Sequence, residues 1–323
     1  DLSTGINPVA YPIPHLDKDA WTALPDRAAE TRLLAAARRF WRVPDGAKII
    51  AVPGASAAIA ALPHVFARED IAIPEPTYNE HRASFMAAGW TVRADAQARV
   101  LVHPNNPVGR LWSEADLSDR HLAVIDESFC VVTPTASLCH LAASETRVVL
   151  KSFGKFWGLA GLRLGFAIGG AEAMSRLAAH LGPWPVSGPA LGIGAGALED
   201  EGWAAHTRTR LARDAQRLDN LMARCGADVV GGTPLFRLYD VGDAVACTID
   251  TIQMGVPMAR IELVDVESVR AVNAYAGSDL PERPHLLVEF HGSESGVEEQ
   301  AALFGEIAAQ RGASDFQWAT RAE

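Results

Sequence analysis

The sequence has few cysteines, and they follow no functional spacing. Among its 323 residues are four, none of them in a C-x-x-C pair: Cys130, Cys139, Cys225 and Cys247. This excludes a paired zinc or dithiol motif, and it excludes the disulfide framework of a small secreted domain. We expect reduced thiols and, because no signal peptide is recognisable, a cytoplasmic protein.

Long apolar runs and excess positive charge are missing as well. Arg163 interrupts the longest apolar candidate, which runs from Gly158 to Gly170, so no membrane-spanning segment is predicted. The net charge of -10 argues against a nucleic acid or an anionic membrane as partner. With 49% hydrophobic and 21% charged residues, the chain has the composition of a globular protein with one large and one smaller domain.

Short apolar strands alternate with amphipathic helices from residue 48 to about residue 170. This order predicts the α/β class, with a mostly parallel sheet covered by helices on both faces. Gly192-Ile193-Gly194-Ala195-Gly196 follows no strand and has the wrong glycine spacing for a dinucleotide loop, so we interpret it as small residues packing a helix.

One lysine lies in a stretch of glycines and small residues, SFGKFWGLAGLRLG at 152–165. An amine in a tight, dry site loses its proton readily and can attack a carbonyl. Ser152 and Arg163 on either side of Lys155 suit a ligand that carries an aldehyde and a phosphate, and pyridoxal phosphate is such a ligand. The alternative is a solvated lysine in a glycine-rich loop.

Other polar residues stand at the ends of predicted strands, where open α/β sheets bind ligands. The turn at Ala55 and Ser56 precedes a helix and could bind an anion, or Ser56 could be an ordinary cap. Tyr78 could stack on a flat ring or lie in the core. Asn106 exposes an amide in a rigid turn. Asp126 ends an apolar strand and needs a positive partner, which a protonated pyridine nitrogen would be; the alternatives are a helix cap and a salt bridge.

Four motifs together carry a family resemblance: LSTGINP at 2–8, HPNNPVGR at 103–110, VIDESF at 124–129 and SFGKFWGLAGLRLGF at 152–166. In this order they resemble the fold-type-I pyridoxal-phosphate enzymes of the aspartate aminotransferase superfamily. Within that superfamily, residues 1 to about 240 look most like threonine-phosphate decarboxylase of cobalamin biosynthesis and histidinol-phosphate aminotransferase.

The resemblance implies a role for each matched residue. Lys155 would form the internal aldimine, and Asp126 would pair with the pyridine nitrogen. Asn106 would hydrogen-bond the ring hydroxyl, Tyr78 would lie against the ring, and Asn7 would line the substrate pocket. The phosphate would be held by Ala55, Ser56, Ser152 and Arg163. No metal is implied.

It also implies a function, decarboxylation of L-threonine O-3-phosphate to aminopropanol phosphate by a cytoplasmic homodimer. An aminotransferase is the alternative, because the substrate's pose decides which bond breaks. The implied domains are a cofactor-binding domain with an N-terminal arm at 1–185 and the start of a small domain at 186–240. One departure is Phe129, where the family's tyrosine would hydrogen-bond the ring oxygen.

The chain changes character from about Val241. The motifs DAVACTIDTIQMGVPMARIELVD, AVNAYAGSDLPERPHLLVEFHGSESGVEEQ and FQWATR resemble the C-terminal domain of FAD-linked oxidases of the glycolate oxidase and D-lactate dehydrogenase type. Residues 241–323 are therefore expected to form a small α/β unit without a cofactor of its own, and no arginine motif for the substrate carboxylate is found there. The chain would be a chimera, made by recombination, gene fusion or artefact. It would be inactive if that arginine is indispensable, and a fragment oxidising 2-hydroxy acids is the remaining alternative.

Overall fold

The computed structural model describes residues 4–117, 121–224, 227–240 and 243–313, with backbone alone for residues 240 and 243–246. Cys225 and the FQWATR motif lie outside the described residues, and so do the first three residues of the arm. No helix in the described ranges combines the length and the apolar character that a bilayer crossing requires.

The chain forms two compact units. The first comprises Asp1–Arg217 and Val230–Leu238, and the second comprises Leu218–Val229 and Tyr239–Glu323. The domain boundaries predicted at residues 185 and 240 divide the sequence by motif rather than by contact, and they remain predictions.

A seven-stranded sheet organises the first unit within the described ranges. Its strands are β1 (Lys48–Val52), β2 (Asp70–Ala72), β3 (Thr91–Val92), β4 (Ala98–Val102), β5 (Leu122–Asp126), β6 (Arg147–Ser152) and β7 (Gly165–Gly169). They lie in the order β1-β7-β6-β5-β4-β2-β3. The pairs from β6 to β3 are parallel, whereas β7 is antiparallel to both β6 and β1. The mostly parallel sheet is confirmed, and β7 runs the other way because the lysine turn that joins it to β6 contains no α-helix, the usual form of a parallel crossover.

Both faces of the sheet are buried. In β5, Val124 packs in one hydrophobic cluster while its neighbours Ala123 and Ile125 pack in the other. Successive side chains of a strand point to opposite faces, so a strand covered on both sides is continuously apolar. This explains why the central strands are short apolar runs without alternation, and why a carboxylate at the end of one needs partners.

The helices form the two layers that cover the sheet, and they form part of the second unit. Over the described residues they are α1 (Asp19–Thr22), α2 (Arg27–Phe40), α3 (Ala55–Ala61), α4 (Asn79–Ala87), α5 (Ala171–Leu181), α6 (Gly188–Glu199), α7 (Glu201–Arg224), α8 (Asp243–Gln253), α9 (Val266–Ala276) and α10 (Glu294–Gln310). The glycine-rich stretch predicted to pack a helix lies inside α6. A Cβ on Gly194 would meet the Leu164 side chain, so the glycine lets α6 lie close to the lysine turn without displacing that leucine.

The remaining strands form two small antiparallel pairs, β8 (Asp228–Thr233) with β9 (Phe236–Asp240) and β10 (Arg260–Val264) with β11 (His285–Glu289). The second pair and helices α8 to α10 belong to the C-terminal unit. Its small core includes Cys247, Val256, Phe304 and Ile307. The predicted α/β character of this segment is confirmed.

Candidate active site

The carboxyl ends of β4, β5 and β6 meet at one edge of the sheet, and a cavity opens there. Every residue predicted to contact a cofactor lines it: Ala55, Ser56, Tyr78, Asn106, Asp126, Ser152, Lys155 and Arg163. These residues come from separate turns, which the parallel strand order brings together. Asn7 does not line this cavity.

Lys155 is half-buried in the turn between β6 and β7. Its Nζ lies over the ring of Phe129, 5.4 Å from the ring centre. Burial lowers the pKa of Lys155, and the negative charge of Asp126 opposes that shift only in part. The neutral amine is therefore more accessible than in a solvated lysine, and it is the neutral form that attacks a carbonyl. The alternative of a solvated surface lysine does not fit this environment.

Both carboxylate oxygens of Asp126 have hydrogen-bond partners. Oδ1 accepts from the backbone N–H of Ser128 at 3.0 Å and from its hydroxyl at 2.5 Å, and Oδ2 lies 2.9 Å from His81 Nε2. Burial acts to raise the pKa of Asp126, but the bonds from His81 and Ser128 outweigh it and hold the pKa below its ordinary value. The carboxylate is thus kept ionised, as a partner for a positive group in the cavity must be.

Sequence reasoning missed His81, although a signal was present. His81 lies three residues after Tyr78, the N-cap of α4, so its closeness in sequence to a predicted site residue was the signal. The two rings pack edge to face with centroids 6.2 Å apart. His81 is completely buried, so it reaches Asp126 from behind the cavity rather than from within it.

The turn before α3 forms a cradle with Arg163. Gly54 has φ +87°, and a Cβ there would lie 2.8 Å from the Arg163 guanidinium. No side chain in the described part of the chain caps the start of α3, so Ser56 is not the ordinary cap considered above. Uncapped N–H groups beside a guanidinium and two serines are the donor set that a phosphate requires. With an amine at Lys155 and an ionised carboxylate at Asp126, these residues fit pyridoxal phosphate.

The two asparagines of the turn after β4 have different surroundings. Asn105 is buried and holds the turn, since its Nδ2 donates to Thr77 Oγ1 at 3.1 Å and its carbonyl accepts from Gly109 N at 2.7 Å. Asn106 lines the cavity. The structure therefore leaves Asn106 available to a ligand, as the family motif implies.

Phe129 is buried beside the lysine and packs edge to face on Phe236, with centroids 4.7 Å apart. The arm approaches the same ring, because a Cβ on Gly5 would lie 2.9 Å from Phe129. The side of the cavity where the family's tyrosine would present a hydroxyl is thus apolar in this protein. Phe129 has no hydroxyl and cannot donate the hydrogen bond that the tyrosine would give.

A second buried polar group lies behind the cavity and was not predicted from sequence. Lys151 and Glu127 form an ion pair with almost no solvent exposure, and Glu127 also accepts from the Ser137 hydroxyl at 2.7 Å and the Leu138 N–H at 2.5 Å. Burial opposes ionisation of Glu127, but the charge and hydrogen bond of Lys151 overcome it and lower the pKa of Glu127. The pair joins the end of β5, which carries Asp126, to the end of β6, which leads into the turn of Lys155.

His103, Glu127 and Cys130 present ligand atoms to one another within 4.8 Å, but those atoms are engaged. His103 Nδ1 accepts from Trp112 N at 3.0 Å, and its Nε2 lies 2.7 Å from the Ala136 carbonyl. Burial raises the pKa of the Cys130 thiol to about 12, so it stays protonated at neutral pH. This donor set is a packed polar core, unsuited to an ion.

Comparison with known proteins places this geometry in a family. The model of the class I and II aminotransferases matches residues 93–287. The chain belongs to this family. Its members are pyridoxal-phosphate enzymes, so the predicted cofactor and enzyme class are confirmed at that level.

Relatives and solved structures agree with the family and the fold. Threonine-phosphate decarboxylase of Pseudomonas aeruginosa is 37% identical over 260 residues, covering 74% of this chain and 77% of that protein. Histidinol-phosphate aminotransferase from Clostridium acetobutylicum superposes with a TM-score of 0.62 at 16% identity, covering 95% of this chain and 99% of that chain. At 16% identity, this superposition shows a shared fold alone.

A different relative matches a shorter stretch of the sequence. The probable mitochondrial D-lactate dehydrogenase of Danio rerio is 42% identical over 79 residues, which are 24% of this chain and 16% of that protein. The predicted likeness to this class of dehydrogenase is therefore confirmed. The matched length is close to that of segment 241–323, whereas the aminotransferase match ends at residue 287, inside the segment.

Removing the Ser128 hydroxyl is expected to destabilise the protein at neutral pH and to move its acid unfolding to a higher pH. Because the pKa of Asp126 is held below its ordinary 3.8, its carboxylate contributes stability that is present above pH 3.8 and lost as pH falls through the folded pKa. Ser128→Ala takes away one donor, so the folded pKa rises toward 3.8. We expect about 1.5–3 kcal/mol less stability at pH 7 and an acid-unfolding midpoint at higher pH, measured by circular dichroism. The exposed Ser175→Ala is the control, and equal midpoints for the two variants would contradict the role given to Ser128.

Proposed function

We propose that this protein uses pyridoxal phosphate at Lys155 to decarboxylate L-threonine O-3-phosphate to aminopropanol phosphate, a step of cobalamin biosynthesis. The observation that carries the proposal is that Lys155, Asp126 and Arg163 line one cavity, so that an amine, a carboxylate and a guanidinium face one small molecule. The substrate follows from the likeness to threonine-phosphate decarboxylase. A cytoplasmic homodimer is part of the same proposal.

Each cavity residue has a separate task in this chemistry. When bound, pyridoxal phosphate supplies an electron sink for the bond that breaks at the substrate Cα. Arg163, Ser56, Ser152 and the start of α3 would bind the phosphate and thereby fix the ring. Asp126, as an ionised carboxylate, would hold a proton on the ring nitrogen.

Orientation and proton transfer fall to the other side chains. Asn106 would donate to the ring hydroxyl, and Tyr78 would cover one face of the ring. Lys155 would hold the cofactor and supply the amine that moves a proton at the substrate Cα. The buried, apolar Phe129 excludes water next to that amine.

Decarboxylation and transamination are separated by one assay series. Purified protein with added cofactor is given L-threonine O-3-phosphate, and carbon dioxide and the amine product are measured. The same protein is given histidinol phosphate and 2-oxoglutarate, and glutamate is measured. Release of carbon dioxide supports the proposal, whereas glutamate alone indicates an aminotransferase.

One observation favours a second candidate, a protein that binds the cofactor without turnover. Among the described residues that line the cavity, the cations are Lys155 and Arg163, and both are assigned to the cofactor. A substrate carboxylate would then have no cationic partner. An unpaired charge in a desolvated site is costly in free energy. Bound cofactor with no product from either substrate would establish this candidate.

We infer further that the chain joins two sequences of different origin near residues 239–242. The likenesses to a decarboxylase and to a D-lactate dehydrogenase support this inference. Sequencing an independent copy of the gene across the junction tests it, and an uninterrupted aminotransferase sequence there would contradict the fusion. Flavin fluorescence in the purified protein would instead favour the oxidase alternative.

A further inference from the structure

The N-terminal arm binds the backbone of the lysine turn. Three consecutive carbonyls, those of Lys155, Phe156 and Trp157, accept hydrogen bonds from the arm: from Asn7 N at 2.9 Å, Asn7 Nδ2 at 2.8 Å and Tyr11 N at 2.8 Å. The next residue, Gly158, has φ +68°, and a Cβ there would lie 2.6 Å from the Asn7 carbonyl oxygen. The arm therefore lies directly on the turn, with no room for a side chain between them.

Arg210 sets the orientation of Asn7. Its Nη2 donates to Asn7 Oδ1 at 2.6 Å, and Val9 N donates to the same oxygen at 3.1 Å. With the oxygen held by two donors, the amide nitrogen must face the Phe156 carbonyl. Arg210 is itself held by Asp214 at 3.2 Å, and its side chain is only 16% exposed.

These contacts leave Asn7 little capacity for a substrate. Its relative exposure is 2%, and both polar atoms of its side chain are engaged within the protein. Backbone carbonyls that accept well-aligned hydrogen bonds restrict the φ and ψ angles around them. The direction in which Lys155 leaves the backbone is thereby fixed toward the Phe129 ring and the cavity.

We propose that Asn7 and Arg210 are positioning residues for Lys155, in place of the substrate contact that the family motif implies for Asn7. Arg210 orients the Asn7 amide, and Asn7 holds the turn that presents the amine. The inference rests on the proposed function only in that Lys155 attaches the cofactor. It does not depend on which substrate is used.

The test measures attachment of pyridoxal phosphate to the apoprotein rather than turnover. The Lys155 amine condenses with the cofactor aldehyde and releases one water, and borohydride then reduces the resulting C=N bond to a stable C–N bond that mass spectrometry detects. Attachment rates are recorded over a range of cofactor concentrations. This yields a maximal rate and a half-saturating concentration for each variant.

We expect Asn7→Ala and Arg210→Gln to lower the maximal rate about 10- to 10²-fold, the range for a displaced reacting group. The half-saturating concentration should stay within about twofold, because the phosphate cradle is untouched. Arg210→Lys, which keeps a cationic donor, should recover part of the rate. Arg213→Gln is the matched control, since Arg213 also contacts Asp214 but is 76% exposed, and it should attach cofactor at the wild-type rate.

Two outcomes would overturn the inference. One is a wild-type maximal rate in both Asn7→Ala and Arg210→Gln. The other is a rate loss that accompanies a lower melting temperature and an equal rise in the half-saturating concentration, which would indicate general loosening of the site. Failure of the wild-type protein to attach any cofactor would instead contradict the proposed function, so the two failures are distinguishable.

Discussion

Replacing Lys155 with alanine is expected to abolish covalent attachment of pyridoxal phosphate and to lower turnover about 10²- to 10⁴-fold, the contribution typical of a positioned proton-transfer group. The physical reason lies in the cavity: Lys155 is the amine that lines it beside Asp126 and Arg163, and burial favours its neutral form. The measurement is the visible absorption band of the protein mixed with cofactor, before and after borohydride.

A matched lysine makes this result specific. Lys48 donates to Ser175 at the exposed surface, at 3.0 Å, and it begins β1, at the end of the strand opposite to the Ala55 turn. Lys48→Ala should keep the absorption band, the borohydride-stable adduct and the rate. If Lys155→Ala retained the band while Lys48→Ala lost it, the assignment of the nucleophile would be wrong. Noncovalent cofactor binding should persist in Lys155→Ala, because the phosphate cradle remains.

The buried Lys151–Glu127 pair gives the largest expected effect on stability. Lys151→Met leaves Glu127 charged, fully buried and without its cation. Removing one partner of such a pair costs about 3–5 kcal/mol, which can be a large part of a protein's total stability. We expect a drop of this size in the free energy of unfolding in urea, and a lower melting temperature by calorimetry.

Two further variants distinguish the stability cost of an unpaired buried charge from the cost of lost packing. Lys151→Met combined with Glu127→Gln should recover much of the loss, because the neutral amide can still bond Ser137 and leaves no unpaired charge. The surface pair of Arg32 and Glu199, 2.7 Å apart with Arg32 59% exposed, is the control. Arg32→Ala should change stability by less than about 1 kcal/mol. A cost for Lys151→Met no larger than that would contradict the role of the pair.

The position of this pair explains why stability and the site are linked. β5 and β6 are parallel neighbours, with Asp126 opposite Leu150, and the next residues along each strand are Glu127 and Lys151. Asp126 faces the cavity, and Glu127 points to the opposite side. The ion pair therefore fastens the same strand ends that present Asp126 and, through the following turn, Lys155.

The amino-acid sequence by itself was enough to predict the fold class and the residues around the cavity. Those predictions rest on local patterns: apolar runs of strand length, glycine-rich turns, and polar residues placed directly after strands. In a parallel sheet such turns must meet at one edge, so Asp126 and Lys155 could be brought together without coordinates. The family motifs then indicated which ligand suits that set of groups.

Tertiary structure alone decided the partners of those residues. His81 reaches Asp126 across 45 residues, Lys151 reaches Glu127 across 24, and Asn7 reaches Phe156 across 149. No local pattern encodes such pairs, because each forms only where separate elements pack at a particular distance and angle. Asn7 shows the consequence: the motif marks the residue as close to the reaction, but its burial and its hydrogen bonds point inward to the lysine turn.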